Sequence, residues 1–574
     1  MKLCISTLLF LATLTIEAQV FFEDQANIVG ITEDTGVVSM GGGVSFVDYD
    51  DDGWDDITLG TGNGKSIQFY KNYDGFFAQE SLLPVDLNFQ NKSINWVDFD
   101  NDGDKDLFVT SQTDGNRLYE RLSDNTLVDI TVSAGFVTEN LFTFGTSWGD
   151  INNDGCLDIY ISNYTDTSTI TNYFYQSNCD GTFTEVTNQV GLSNTPALTF
   201  CSGFFDFNND GWQDIYIAND KIHQNYLYKN NGDGTFTDVS QASGTDVIVD
   251  AMSVTVDDFN SDGYLDIFIT NTPNDVAVTF GSTILLKNNG DETFSNISES
   301  ANAQLDSWSW GANFFDAEND GDLDLYVSCS YDGSNGFPSY GFYENSGFET
   351  FENSIVAGFD NNGSSFSSAI GDTNNDGLVD LIVNNNNQTP FIWNNETTTD
   401  HNYIKVKLIG MVSNRDAIGS KIEVSVDGEL QYRYLMCGEG YLGQNSLVEH
   451  IGIDDATTID YIKVTWLSGV EDILYNVAPN QTITVTEGST LSVKDFDEDI
   501  TLKYQNPIDN ELIMTSSHSI ENMVIYNNLG ISVFEASFKN KHCQINTNNL
   551  SEGIYFCRIR FDSSASKTVK IAKK

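Results

Sequence analysis

The sequence predicts an all-β chain: a seven-bladed β-propeller followed by two small β-sandwich-like domains. Three observations carry that reading. An acidic nine-residue segment recurs seven times at steps of 50 to 58 residues, so one supersecondary unit is repeated. Each copy runs directly into aliphatic residues at alternate positions, the mark of a strand. After residue 400 the repeat stops, and shorter alternating stretches with glycine turns take over.

Composition narrows the function classes. The 574 residues hold 84 Asp and Glu against 26 Lys and Arg, a formal net charge of -58, yet 40% are hydrophobic and 12% aromatic. That much apolar and aromatic content argues against a disordered acidic tail. Binding phosphate rests on Lys and Arg, so no nucleic-acid partner is expected. A cation is the natural counterpart.

Residues 1-18 read as a Sec signal peptide: Lys2, an apolar run from Leu3 to Ile16, and Ala18 before the cleavage point. No later run is long and apolar enough to span a bilayer, so no transmembrane segment is expected. The mature chain should be secreted or attached to the outer surface of the cell. Seven cysteines follow Cys4: Cys156, Cys179, Cys201, Cys329, Cys437, Cys543 and Cys557. Their number is odd and no C-x-x-C occurs, which argues against a zinc framework. Cys543 with Cys557 is the one pairing expected.

Residues 19-396 carry the repeat. Its copies are DYDDDGWDD, DFDNDGDKD, DINNDGCLD, DFNNDGWQD, DFNSDGYLD, DAENDGDLD and DTNNDGLVD. Oxygen-bearing side chains stand at positions one, three, five and nine of each. They are Asp48, Asp50, Asp52 and Asp56 in the first copy, and Asp98, Asp100, Asp102 and Asp106 in the second. The third has Asp150, Asn152, Asp154 and Asp158, and the fourth Asp206, Asn208, Asp210 and Asp214. Asp258, Asn260, Asp262 and Asp266 form the fifth, Asp316, Glu318, Asp320 and Asp324 the sixth, and Asp372, Asn374, Asp376 and Asp380 the seventh. Glycine always fills position six, where a tight turn needs its backbone freedom. Odd spacing in such a turn lets alternate oxygens converge on a hard cation, and Ca2+, up to seven ions in a structural role, is expected. An EF-hand would place Glu at position twelve. Here that position holds Leu59, Val109, Ile161, Ile217, Ile269, Val327 and Val383, all strand residues.

Strand-like runs such as Ser93-Ile94-Asn95-Trp96-Val97 precede the loops, and a second motif, NYLYKNNGDGTFTDVS from Asn225 to Ser240, adds a third strand, a turn and a fourth strand. Four strands per unit, repeated seven times, make a propeller. The last unit ends at Phe391-Ile392-Trp393 without a fourth strand, and the missing copy lies at the other end, as FEDQANIVGI from Phe22 to Ile31. The N-terminal segment is therefore expected to close the ring, leaving few exposed edges.

These residues resemble the FG-GAP/VCBS family of calcium-binding propellers, from Phe22 to about Asn395. The pattern departs at Glu318, where a longer carboxylate takes position three. Residues 401-488 are similar to the ASPIC/UnbV domain through Ser413-Asn414-Arg415-Asp416-Ala417-Ile418-Gly419, Gly440-Tyr441-Leu442, Val464 to Gly469 and Asn480-Gln481. That domain follows such propellers in cartilage acidic protein and its bacterial relatives. An acidic stretch, Lys494 to Asp499, leads to residues 500-574, where Ig-like alternation is expected. The tail is similar to the C-terminal sorting domain of type IX secretion through Asn506-Pro507, Tyr526-Asn527 with Gly530, and Gly553-Ile554-Tyr555; Gln505 stands where a proline is usual. The resemblance implies passage through the outer membrane by that machinery.

No catalytic constellation emerges. Gly145-Thr146-Ser147-Trp148-Gly149 matches G-x-S-x-G but occupies a strand slot of its blade, with no helix after it. Gly62 to Ser66 imitates the end of a P-loop at the wrong glycine spacing. His223, His401, His450, His518 and His542 stand singly. The expected function is a secreted or cell-surface adhesion or ligand-binding protein for an extracellular protein or glycan, with loops Ser330 to Tyr340 and Asn384 to Trp393 as candidate contacts. The alternative is a secreted polysaccharide-degrading enzyme, because paired carboxylates of a hydrolase cannot be told from cation ligands by sequence.

Overall fold

The computed structural model describes residues 19–490 and 502–574, apart from 166–169, 194, 273–281, 332, 334, 335, 348, 355, 356, 360, 361, 505, 528–531, 552 and 562–565. The expected signal segment, the acidic linker, Gln505, Gly530 and parts of loop 330–340 lie outside the described residues. The chain divides into one unit ending at Thr490 and a second beginning at Leu491.

In the first unit, seven four-stranded antiparallel sheets follow one another among the described residues, two of them joined by a short pairing of Tyr164 and Thr165 with Leu198 and Ala197. Their first strands are Val44–Val47, Asn91–Val97, Thr143–Gly149, Ala197–Phe205, Thr255–Asp257, Ser309–Phe315 and Ser365–Gly371. Each lies against the first strand of the next sheet, and the seventh lies against the first, so the blades form a closed ring. The second strands, such as Asp106–Ser111 and Asp324–Cys329, are buried along their whole length because both faces meet a neighbouring blade. That explains why they read as apolar runs with few polar interruptions. Most outer strands need only three residues, with a leading Phe or Leu buried and the rest exposed, as in Phe236–Asp238 and Leu127–Asp129.

The ring closes as the missing fourth strand requires. Phe22–Asp24 pairs antiparallel with Phe391–Asn395, Phe22 opposite Asn395. The Phe22 ring is fully buried and stacks on Phe359 at 4.6 Å.

Residues 403–486 form two further sheets. Tyr403–Ile409 is flanked by antiparallel Val448–Gly452 and parallel Thr482–Thr486; Glu429–Tyr434, Lys421–Val426, Ile459–Thr465 and Glu471–Val477 make the second sheet. Ile404, Val406, Ile422, Val424, Ile462 and Trp466 fill the space between them. The segment from Met436 to Ser446 leaves this sandwich and enters the propeller axis. Val44 pairs with Gly443, Trp148 N–H donates to Cys437 at 3.0 Å, and Gly440 N–H donates to Val254 at 2.9 Å. Gln444 brackets Trp96, accepting from its N–H at 2.8 Å and donating to its carbonyl at 2.7 Å. Asn445 accepts from Asn313 and from the Ile370 N–H, each at 3.0 Å. Tyr441 packs its ring 5.8 Å from Phe200 and 5.0 Å from Trp310 and donates to the Met40 carbonyl at 2.6 Å. One short segment thus touches the first strand of all seven blades. Glycine is required there: a Cβ at Gly438, whose φ is +79°, would sit 2.0 Å from the Thr146 carbonyl oxygen.

The second unit is a curled antiparallel sheet of Leu502–Tyr504, Glu511–Tyr526, Ser532–Asn546, Gly553–Phe561 and Ser566–Lys573. The long strand Glu511–Tyr526 pairs with Ser532–Asn546 on one edge; the other edge is shared by Leu502–Tyr504 and Gly553–Phe561. Cys543 and Cys557 therefore stand on strands flanking opposite edges of that strand, and both are buried free thiols. This corrects the expected pairing. The disulfide in the structure is Cys156–Cys179, joining position seven of the third loop to the turn after Tyr173–Ser177 of the same blade.

Tyr441→Ala is expected to empty the middle of the axis and destabilise the first unit by about 3 to 5 kcal/mol. Chemical denaturation of the variant checks this; a change below about 1 kcal/mol would mean the axis segment adds little.

Candidate functional site

The acidic loops join the first and second strands of each blade, so all seven lie at one end of the ring. Two residues per loop adopt left-handed backbone: the glycine at position six, with φ from +85° to +102°, and position four, with φ from +54° to +64°. Position four is Asp51, Asn101, Asn153, Asn209, Ser261, Asn319 and Asn375, residue types whose short polar side chains tolerate that region. This pair of reversals folds the odd-numbered side chains inward.

The carboxylates then organise the backbone. Position one accepts the N–H groups of positions five and six in every loop, at 2.7 to 3.1 Å. Position five accepts the N–H of position seven, as Asp102 does from Asp104 at 2.9 Å. Position nine opens the second strand and accepts an N–H of the third, as Asp56 does from Asn72 at 2.8 Å. In five loops its other oxygen takes the N–H of position two; in the other two, Asp106 Oδ2 and Asp266 Oδ2 are buried with no hydrogen-bond partner among the described residues.

Amides tie most of the loops to a neighbour. The position-four amides Asn101, Asn153, Asn209 and Asn319 donate to the position-six glycine carbonyls of the following loop, Gly155, Gly211, Gly263 and Gly377, at 2.8 to 3.0 Å. In the opposite direction, the third-strand amides of Asn230, Asn288, Asn345 and Asn395 reach the position-two carbonyls of the preceding blade, Ile151, Phe207, Phe259 and Ala317. Arg121 replaces the amide in the second blade and lies over the Trp96 and Tyr49 rings.

Burial and like charge strain this arrangement. Burial, with neighbouring loop carboxylates adding, pushes Asp56 up to about 8 and Asp106 to about 9, and raises Asp158, Asp214, Asp266, Asp324 and Asp380 well above the usual carboxylate range. Position one is raised less, to about 7 in Asp98, Asp258 and Asp316. Convergent carboxylates, with orphaned buried oxygens among them, are what a hard divalent cation would neutralise. In the first and second loops, Asp48, Asp50 and Asp56, and Asp98, Asp100 and Asp106, bring oxygens within 4.8 Å of one another. At Glu318 the longer side chain leaves Oε2 buried without a partner among the described residues, so the sixth loop keeps its oxygen at position three.

The sandwich of residues 403–486 covers this end of the ring. Lys405 donates to Asp372 at 2.9 Å and Asn375 at 2.6 Å, and Lys407 to Asp51 at 2.5 Å. Asp416 pairs with Lys105 and takes the Asp98 N–H at 2.9 Å. Lys421 reaches Asn209 and Gly263; His450 contacts the Gly377 carbonyl and His401 that of Glu318. A Cβ at Gly155 would meet the Val412 carbonyl at 2.4 Å, which completes contact with all seven loops.

The other sequence candidates are structural. Ser147 is buried on its strand, its hydroxyl 2.7 Å from that of Ser202, so no nucleophile elbow exists. Lys65 pairs with Asp34 in a turn. Asn384, Asn385, Ile392 and Trp393 are buried, with Asn384 donating to Gly43 and Gly60; as core residues they are not surface contacts.

Seven acidic loops feeding a ring of four-stranded sheets define a β-propeller of the repeated acidic-loop class. The modules have family matches: residues 48–109, 98–161 and 206–269 match the FG-GAP-like repeat, 410–492 match ASPIC and UnbV, and 503–574 match the secretion system C-terminal sorting domain. The chain carries all three, and the sorting domain marks it as a secreted or cell-surface protein. It is 25% identical over 271 residues to cartilage acidic protein 1 of Xenopus tropicalis, covering 46% of this chain and 40% of that protein. Among solved structures it is similar to an Agrocybe aegerita lectin that recognises non-reducing terminal N-acetylglucosamine (TM-score 0.40, 17% identity, 63% of this chain and 92% of the other). It is also similar to PorZ, a surface component of the type IX secretion system of Porphyromonas gingivalis (TM-score 0.24, 12% identity, 93% and 75%). At these TM-scores neither likeness bears on what the chain binds.

The raised carboxyls set a pH dependence for the cation-free fold. Their folded values lie above the ordinary 3.8, so the fold is favoured at low pH and loses stability progressively as pH rises toward about 8 to 9. In chelator, the melting temperature should fall between about pH 5 and pH 8, and a divalent cation should flatten that fall. A melting temperature that climbs over this range in chelator would contradict the assignment.

Proposed function

We propose that the protein is an exported, calcium-stabilised scaffold that presents the uncovered face of its propeller to an extracellular protein or glycan. On this reading residues 1-18 are the Sec signal, 19-396 the propeller, 401-488 a cap on the loop end and 500-574 the tail handled by type IX secretion. The observation that carries it is the occupancy of the fold's own surfaces. The loop end lies under the cap and the axis holds the Met436 to Ser446 segment, so a partner is left the opposite face, made of second-to-third-strand loops and blade-to-blade connections. Function concentrates in such loops.

That face is rich in uncovered apolar groups: Val37 is 66% exposed, Ile222 81% and Ile248 56%. Trp308, Tyr331 and Phe337 add an aromatic cluster there, with Trp308–Tyr331 and Tyr331–Phe337 centroids both 5.4 Å apart. None of the matched families describes an enzyme.

Calcium suits the loops because every candidate donor is a hard oxygen and the set is flexible enough for six to eight ligands. Asp and Asn side chains at positions one, three, five and nine, and Glu318, would hold it. Calcium bound there would offset the carboxylate charge that Lys71, Lys405 and Lys407 leave unbalanced. It stabilises the fold by about 2.7 kcal/mol per site when free ion is about a hundredfold above the dissociation constant.

Two measurements test the reading. Calorimetric titration with melting in chelator and in millimolar calcium should show several bound ions and a large upward shift; no binding and no shift would remove calcium from the account. Glycan and matrix-protein arrays should then retain the chain without turnover, and Ile222→Glu combined with Ile248→Glu should abolish retention. Cleavage products in place of retention would favour the polysaccharide-degrading alternative.

A further inference from the structure

The third strand of each blade aims one side chain at its loop, and its charge differs from blade to blade. Register is common to all seven, because the residue after it always donates its N–H to the position-nine carboxylate, at 2.7 to 2.9 Å. The aimed residues, in blade order, are Lys71, Glu120, Gln176, Lys229, Lys287, Glu344 and Asn394.

In the first blade the Lys71 ammonium touches Asp50 and stands 2.8 Å from Asp52, the carboxylates of positions three and five. It occupies ground a cation would need. Lys287 lies 3.9 Å from Asp262, position five of the fifth loop. Lys229 and Lys287 each pair with a glutamate from the next blade's hairpin, Glu292 and Glu349. Those glutamates also accept from the position-three amides Asn208 and Asn260 at 3.3 Å, so they hold lysine and ligand together.

At this third-strand position the second and sixth blades are the reverse; a cation beside the second loop is Arg415 of the cap, 4.0 Å from Asp98. Glu120 and Glu344 hold the register position that Lys71 holds in the first blade, and there they bring a negative charge in place of an ammonium. Their loops already have four carboxylates at the ligand positions, and each leaves a buried oxygen unpartnered among the described residues, Asp106 Oδ2 and Glu318 Oε2. In the lysine-faced loops the orphaned oxygens are Asp50 Oδ1, on the carboxylate that Lys71 pairs with, and Asp266 Oδ2, in the loop whose Asp262 has Lys287 at 3.9 Å.

We propose that this third-strand residue sorts the seven loops: the glutamate-faced loops of the second and sixth blades are the tight cation sites, and lysine is a built-in competitor in the first, fourth and fifth. The inference rests on the calcium reading above. Its physical basis is charge count, since affinity in oxygen-ligand sites follows the number of nearby negative charges, and an ammonium at ligand distance opposes a divalent ion directly.

Calcium titration of the Gln19 to Lys574 chain by calorimetry tests the sorting. The wild type should show two tight sites ahead of a weaker set. Glu120→Gln and Glu344→Gln should each weaken one tight site by about tenfold or more. They are isosteric and probe separate loops, so a folding failure in one leaves the other to decide. Lys71→Gln should add a site at the same free calcium. With terbium it should gain emission sensitised by Trp54 at position seven of that loop, lost again in Lys71→Gln with Trp54→Phe. Unchanged affinities and stoichiometry in all variants, with calcium still bound, would overturn the sorting and leave the calcium reading standing. No calcium bound by the wild type or any variant would overturn both.

Discussion

Carboxylates crowded at one end of a ring are the constraint on which the rest of this structure depends. A position-nine aspartate sits where a turn becomes a strand, buried and bonded to two backbone segments at once. Its removal would cost the strand its register; its charge costs the fold stability. The surrounding features answer that conflict. Backbone N–H groups converge on position one, lysines of the cap reach Asp372 and Asp51, and asparagines clamp four of the loops to the next.

Because those clamps run between blades, the loops are not independent units. Asn101 holds Gly155, whose own loop sends Asn153 to Gly211, whose loop sends Asn209 to Gly263. A loop that relaxes therefore disturbs a hydrogen bond in the next blade as well as its own. The cap adds a second layer of coupling, since one domain touches all seven loops while its Met436 to Ser446 segment touches all seven first strands. Cooperative melting is the natural consequence of such shared partners.

Much of this was legible in the sequence. The seven loops, the glycine at position six and the strand beginning at position nine follow from spacing and residue type alone, and the closing strand follows from counting fourth strands. Position four was not read, because Asn and Asp there look like ordinary turn composition until the backbone angle is known. The sequence marks the axis segment only through Gly440-Tyr441-Leu442, a point of resemblance to the ASPIC/UnbV domain. Its partners are backbone groups contributed by seven distant segments, and no local pattern announces them. Cys156 was missed as a disulfide partner because position seven admits any residue, and Cys543 and Cys557 misled because sequence proximity says nothing about which edges of a strand their neighbours occupy.

The strand from Phe22 to Asp24 has a further consequence for how the molecule is made. It is synthesised before any blade, yet its partner is Phe391–Asn395, so the first structural residues to emerge wait for more than six blades before they can pair. Until then Phe22 has no Phe359 to stack on, and the seventh blade lacks its outer edge. Such a distant contact contributes loop-closure entropy and slows folding relative to local pairings. The ring therefore cannot acquire its closing strand pair until the seventh blade has been made, so the last step of propeller assembly joins its two sequence extremes.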